Sequence, residues 1–294
     1  MHRLSRQQLV LLVLLTVVWG VNWPVMKVGV TGYPPLTFRA LSLWLGLPVL
    51  ALVLVAMKVP FTIARRDWAQ LTGLAATNMF VWNACIILAL STLSSGRAAI
   101  LGYTMPIFSA LLGALFFSAP LTGRGWLGVG AAGLGVTLLL WHEFTQLAGR
   151  PAGVMLALFA AAVWALGTQL LRRTTIDRPT LTLSFWMTVL TAVVMAVLSL
   201  FERSRWAWPP PDATGAIVFN AVLIFGFAQA VWLYLARSLP PIASTLSVMF
   251  IPIVGVFSGA LWLKESLHWQ DWAAMALMVV AIASVLWPAR AAQA

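Results

Sequence analysis

The sequence predicts an all-α membrane protein: ten transmembrane helices forming two inverted five-helix repeats, residues 1–148 and 149–294. Three observations predict it. Of 294 residues, 62% are hydrophobic and 9% charged, against roughly 45–50% apolar and 25% charged in soluble domains. The chain divides into ten apolar stretches of about 20 residues, the length that crosses a bilayer at 1.5 Å rise per residue. A shift of 146 residues also lays Pro, Gly and Trp of the second half on those of the first.

The ten stretches run about 9 to 31, 34 to 57, 68 to 91, 98 to 118, 123 to 142, 151 to 173, 179 to 201, 214 to 236, 240 to 262 and 270 to 288. The first opens after Arg3 and Arg6, a start that also fits a signal peptide. Its apolar run continues through Trp19 and Trp23 without a small-residue cleavage site, so it is retained as a span. The others are set off by short polar or Pro-rich connections: "TGYPP" before the second, "KVPFTIARRD" before the third, "SAPLTGRG" before the fifth, "RTTIDRP" before the seventh and "ERSRWAWPPPD" before the eighth. No soluble domain fits between spans, so function must reside in the helices.

The repeat rests on residues that apolar bias alone explains poorly. Pro106 falls on Pro252, Ile107 on Ile253, Gly113-Ala114-Leu115 on Gly259-Ala260-Leu261, Trp126 on Trp272 and Trp141 on Trp287. Trp19 likewise lies over Trp164, and Asn78 over Asn220 after matching Thr-Gly pairs. Five spans per half is an odd number, so the second copy enters the membrane from the opposite side. Inverted repeats with helices interrupted at matching positions point to secondary transporters, whose substrate site sits near the midplane at the repeat interface. The plainer reading of Pro106 and Pro252 is ordinary helix prolines whose freed carbonyls neighbours satisfy; the matched pair favours a gating role for Pro106, Gly113, Pro252 and Gly259.

The formal charge of +11 could signal an anionic partner, but its distribution argues otherwise. With the N-terminus inside, cytoplasmic span ends hold eleven Lys and Arg, among them Arg65, Arg66, Arg172, Arg173 and Arg178, and outer ends hold five. That is the positive-inside bias of a multi-pass bacterial inner-membrane protein with both termini cytoplasmic. No nucleic-acid partner is expected. The single cysteine, Cys85, reads as a packed side chain. Every Asp, Glu and His lies at a span end or in a connection, so no buried proton relay, metal site or catalytic acid pair is evident, and no phosphate loop occurs. No cofactor is expected, and a membrane-embedded enzyme lacks its chemistry.

The motifs "WGVN" with Lys27, "PPLTFRAL" with Arg39, "ALSTLSSGRAAILGYTMPIFSALLGALFF" and "PPIASTLSVMFIPIVGVFSGALWLKESL" resemble the EamA-type exporters of the drug/metabolite transporter superfamily, across essentially the whole chain. Within that superfamily the Trp-rich helices and compact loops look most like the aromatic amino acid exporters of the YddG type. The resemblance implies a central cavity lined by spans one, three, four, six, eight and nine. It further implies export of amino acids, aromatic or apolar ones above all, with a broad drug or organic-cation exporter as the alternative. One departure is that Glu265 follows span nine while its first-half counterpart is Ala119, where the family often carries Glu. Glu265 is accordingly read as a solvated helix-end carboxylate.

Candidate cavity residues are Trp19, Asn22, Asn78, Trp82, Tyr103, Trp164, Gln169, Asn220, Gln229, Trp232 and Ser247. The aromatic ones could stack on a substrate ring; the polar ones could bind its amino or carboxylate group, or merely join helices. Lys27 and Arg39 lie inside their spans near the outer end. They either snorkel to the interface or join Arg97 in a positive outer vestibule for a substrate carboxylate.

Overall fold

A computed structural model describes residues 5–117, 121–145, 151–236 and 241–286, with side chains for these apart from 142–145, 230, 233–234, 236, 241–249 and 285–286. The described residues contain no strand. The first span, Arg6–Val30, starts at a capping box in which the Ser5 hydroxyl accepts from Gln8 N–H and the Gln8 side chain accepts from Ser5 N–H. The second, Pro35–Ala56, starts on a proline, whose missing N–H is no loss in a first helical turn. The third runs from a 3₁₀ turn, Arg65–Asp67, through Trp68–Ala75, a π-helical stretch Ala76–Phe80, and Val81–Thr92.

The fourth is two helices, Ser95–Gly102 and Met105–Phe116, and the fifth is Gly123–Thr145. The sixth is Pro151–Leu171, and the seventh is Thr180–Ser199 extended by the 3₁₀ stretch Leu200–Arg205. The eighth joins Pro211–Phe219, a π-helical Asn220–Ala228 and Gln229–Ala236, and two further helices, numbered ninth and tenth here, are Pro241–Leu263 and Trp269–Leu286. Among the described residues eight helices are long and apolar enough to cross a membrane, and Phe250–Leu263 and Trp269–Ser284 are shorter apolar helices.

The expectation that Pro106 and Pro252 interrupt two helices alike meets an asymmetry. Span four ends its first half at Gly102, turns through Tyr103 and Thr104, and restarts with Pro106 in the first turn. Pro252 sits inside a continuous helix. A proline removes the bond to the carbonyl four residues earlier and crowds it. For Pro106 that residue is Gly102, itself a poor helix former, whereas the matching residue before Pro252 is Val248.

Large apolar side chains cover the outside of the bundle, including Leu52, Leu115, Phe116, Leu134 and Phe159. The interior holds large side chains such as Leu15, Phe38, Leu50 and Ile87, small ones such as Ala157, Ala160, Ala161 and Ala165, and buried Asn, Thr and Ser. An apolar outside suits lipid, and the small residues within allow close helix contact. Span one packs along nine, three along six, two along seven, and five along ten. The extensive interfaces form matched sets when five is added to each span number: one–nine with six–four, one–eight with six–three, and two–eight with seven–three.

Two loops and a carboxylate fix one end of the bundle, hereafter the Tyr33 end. Glu202 accepts from Leu36 N–H at 3.2 Å, Thr37 N–H at 2.8 Å and the Thr37 hydroxyl at 2.9 Å, so span seven caps span two. The Tyr33 hydroxyl donates to the Ala207 carbonyl at 3.2 Å. Burial, and secondarily the Glu202 charge, holds the Tyr33 phenol above its ordinary value of 10.0. Because the folded value is raised, Tyr33 adds stability that is complete below the ordinary value and is lost as the pH climbs through the folded one. Glu202→Gln is expected to move the Tyr33 titration downward, read from tyrosinate absorbance against a Tyr33→Phe control. An unmoved titration would remove the electrostatic contribution of Glu202.

Candidate functional site

The break in span four places Tyr103 among tryptophans from three other spans. Trp23 stands 6.4 Å from Trp82 and 6.3 Å from Tyr103 between ring centroids, both edge-on, and Trp82 stands 6.4 Å from Trp164. Spans one, three, four and six therefore share one aromatic wall. Gly102 makes it possible: a Cβ there would lie 2.8 Å from the Trp23 ring and 3.2 Å from the Trp82 ring. Thr104, buried, donates both its N–H, at 3.1 Å, and its hydroxyl, at 2.6 Å, to the Leu101 carbonyl at the break. Trp19 and Trp232 form a second pair at 5.5 Å between spans one and eight.

The polar candidates cluster around the two π-helical stretches. Asn78 Nδ2 donates to the Leu74 carbonyl at 3.1 Å, and Asn220 Nδ2 to the Ala216 carbonyl at 3.0 Å. Each side chain bonds four residues back, and each lies in or at the start of a π stretch. Such stretches are rare and gather at functional sites. The span-six backbone comes so close to Asn78 that a Cβ at Gly167 would stand 2.7 Å from its Nδ2. Gln169 donates to the Ser109 carbonyl at 2.9 Å and hydroxyl at 3.0 Å, joining spans six and four, and Gln229 donates to the Ser184 hydroxyl at 3.1 Å. Ser247 lies on span nine, with its side chain outside the described residues.

The three cations expected to share a vestibule each have a different partner. Lys27 Nζ donates to the Leu90 and Leu93 carbonyls, both at 2.8 Å, closing the end of span three. Arg97 Nε and Nη2 donate to Asp271 at 2.7 and 3.2 Å, and Asp271 also accepts from His268 N–H at 2.8 Å at the start of span ten. Arg39 donates to Asn220 Oδ1 at 3.1 Å and Met26 Sδ at 2.6 Å.

Glu265 differs from the solvated carboxylate the sequence suggested. It accepts from Ser95 N–H at 2.7 Å, the Ser95 hydroxyl at 2.9 Å and Gly96 N–H at 3.2 Å, so the end of span nine caps the start of span four. Both orphan amides and the positive end of the helix favour a carboxylate there. Gly259 is part of the same fit, since a Cβ would run into the Ser95 hydroxyl and the Glu265 carboxylate. Gly113 is buried in the second half of span four, which packs on span six. At the other end of the bundle, Arg173 stacks 4.0 Å over the Phe117 ring and donates to the Gln169 carbonyl and side-chain oxygen.

A cleft of about 250 Å³ opens beside Ser94, Arg97, Glu265, Ser266 and His268, and another of about 380 Å³ lies between spans two and seven beside Tyr33, Thr37, Trp44 and Trp206. The aromatic candidates line neither; they pack on one another. Sequence reasoning missed Trp23 as part of the wall and missed Glu202, Glu265 and Asp271 as caps. Trp23 lies one helical turn from Trp19, a spacing that could have found it. Glu202, Glu265 and the Arg97–Asp271 pair join across more than 160 positions, for which the chain carries no local signal, whereas Asp271 reaches His268 N–H over three residues, the spacing of a capping box.

The EamA-like transporter family model matches residues 7–141 and again 151–287. Among similar proteins is the "Uncharacterized transporter YoaV" of Bacillus subtilis, 23% identical over 257 residues, covering 86% of this chain and 87% of the relative. The "Uncharacterized inner membrane transporter YedA" of Escherichia coli K12 is 26% identical over 276 residues, covering 92% and 88%. The "Probable amino-acid metabolite efflux pump" of Salmonella typhimurium is 26% identical over 291 residues, covering 95% and 94%. A solved crystal structure aligns with a TM-score of 0.66 at 19% identity, over 98% of this chain and 100% of that one, which shows the shared fold. The chain is a multi-pass membrane protein belonging to the EamA-like transporter family of the drug/metabolite transporter superfamily.

Proposed function

We propose that the chain is an inner-membrane secondary transporter that exports amino acids, aromatic and apolar ones above all, by alternating access. The aromatic wall of Trp23, Trp82, Tyr103 and Trp164 beside the break in span four carries this reading. Edge-on and tilted rings at 6.3 to 6.4 Å form a surface on which a further aromatic ring can pack, and the adjoining break lets the wall part. The matched helix neighbours and the paired π stretches support two inverted repeats, 1–148 and 149–294. Two equivalent halves can exchange conformations across the midplane. The efflux-pump relative supports amino acids as the cargo. The arginine distribution supports cytoplasmic termini, so that the Tyr33 end faces outward.

Proteoliposomes containing only this protein are expected to show saturable counterflow of labelled phenylalanine and tryptophan. Flux of organic cations without flux of amino acids would select the broad drug exporter instead. Absence of any flux would remove the transport reading.

A further inference from the structure

Arg39 is 4% exposed, inside span two, and has no carboxylate within ion-pair distance among the described residues. Its guanidinium is held by neutral groups: Asn220 Oδ1, the Met26 sulfur and, 5.8 Å away, the Phe38 ring. Asn220 is itself fully buried and fixed by its bond to the Ala216 carbonyl, so span eight aims the guanidinium rather than neutralising it. One edge of the group is left over, because Nε has no hydrogen-bond partner. A buried cation without an anion is strongly unfavourable, and an ionisable residue in a membrane span marks a substrate or ion path. Packing alone would be served better by an apolar side chain.

A second unpaired atom, of opposite sense, lies on span one. Asn22 is 9% exposed and its Oδ1 has no partner. Asn22 precedes Met26 by four residues, so it shares the face of span one that Arg39 touches through the Met26 sulfur. Trp23, at the edge of the aromatic wall, is the next residue along. Spans one and two thus hold an unpaired donor on a cation and an unpaired acceptor, with Trp23 next to the acceptor in sequence. Lys27 and Arg97 do not compete for this role, being engaged by carbonyls and by Asp271.

We propose that Arg39 and Asn22 form the head-group site for an α-amino acid: the Nε edge of Arg39 takes the carboxylate, Asn22 Oδ1 takes the ammonium, and the side chain lies against Trp23 and Trp82. The proposal rests on the export reading above and assigns its substrate a fixed orientation. Asn220 is a positioning residue that acts through Arg39. The site is closed in this conformation, and loading requires spans one, two and eight to separate.

The test uses full-length wild-type, Arg39→Gln and Asn22→Leu proteins, with tryptophan-fluorescence titration, proteoliposome competition and thermal unfolding. The probes are phenylalanine, its methyl ester, which lacks the carboxylate, and 3-phenylpropanoate, which lacks the ammonium. Wild type should prefer phenylalanine to either analogue by about 10- to 100-fold, the worth of a charge-assisted hydrogen bond. Arg39→Gln should erase the preference over the ester alone, and Asn22→Leu the preference over phenylpropanoate alone. Unfolding of Arg39→Gln should come no earlier than that of wild type, which separates a substrate role from a structural one. Phenylalanine flux in wild type with the ester preference intact in Arg39→Gln would overturn the head-group site while leaving the export reading standing. No amino-acid flux in wild type would overturn both.

Discussion

Asp271→Ala is expected to destabilise the protein by about 3 to 5 kcal/mol, the range for removing one partner of a buried ion pair. Asp271 is 2% exposed and serves three donors: Arg97 Nε, Arg97 Nη2 and His268 N–H. Truncation removes the counter-charge of a mostly buried guanidinium, 12% exposed, and the cap of span ten together, so the loss exceeds that of a surface pair, which is worth at most about 1 kcal/mol. Arg97→Ala should cost less than the sum of its parts when combined with Asp271→Ala, since the two act on one interaction. Thermal unfolding in detergent, with the exposed Asp177→Ala as reference, measures it. A shift no larger than that of Asp177→Ala would mean the pair contributes only surface electrostatics.

Glu265→Ala should have the larger effect on conformation. The carboxylate holds the start of span four to the end of span nine through three hydrogen bonds. Charge-assisted bonds of this kind contribute about 1.5 to 3 kcal/mol each, and a loss of even 1.4 kcal/mol shifts a two-state equilibrium about tenfold. The expected result is a Tyr33 end that opens more often. With Cys85→Ala as background, a cysteine at Ala98, which is fully buried in the first half of span four, should react about tenfold faster with a membrane-impermeant maleimide once Glu265 is truncated. Equal reaction rates with and without Glu265 would show that the cap serves stability alone. Ala119 stands at the matching position of the first half, so the proposed inner mouth has no equivalent carboxylate to remove.

Much of the fold was legible because a bilayer imposes one coarse rule. The stretch read as 9 to 31 corresponds to the helix Arg6–Val30, and that read as 98 to 118 overlaps Ser95–Phe116 and ends two residues beyond it, each set by where apolar residues begin and end. Asn78 and Asn220, which the sequence aligns, each lie in a π stretch and bond four residues back. What the sequence hid depends on distance along the chain. Glu265 reads as exposed beside Lys264 until span four is brought against it from 170 residues away. Arg39, Lys27 and Arg97 look alike as three cations near one face; only their neighbours separate the guanidinium without a carboxylate from the two that are engaged. Pro106 announced a disturbance, but the turn falls at Tyr103 and Thr104, because a proline disturbs the preceding turn rather than its own.

That turn gives span four the mechanics of a jointed rod beside the single beam of span nine. The segment beyond the joint, Met105–Phe116, is 12 residues, a lever arm of about 18 Å at 1.5 Å per residue. A tilt of about 15° at Thr104 would carry its tip about 5 Å, roughly one helical turn, while the half before the joint stays fastened by Glu265. The same angle spread over an unbroken helix would strain every bond along it. Switching would then be confined to one short arm, with Phe117 and its contact to Arg173 riding at the moving end.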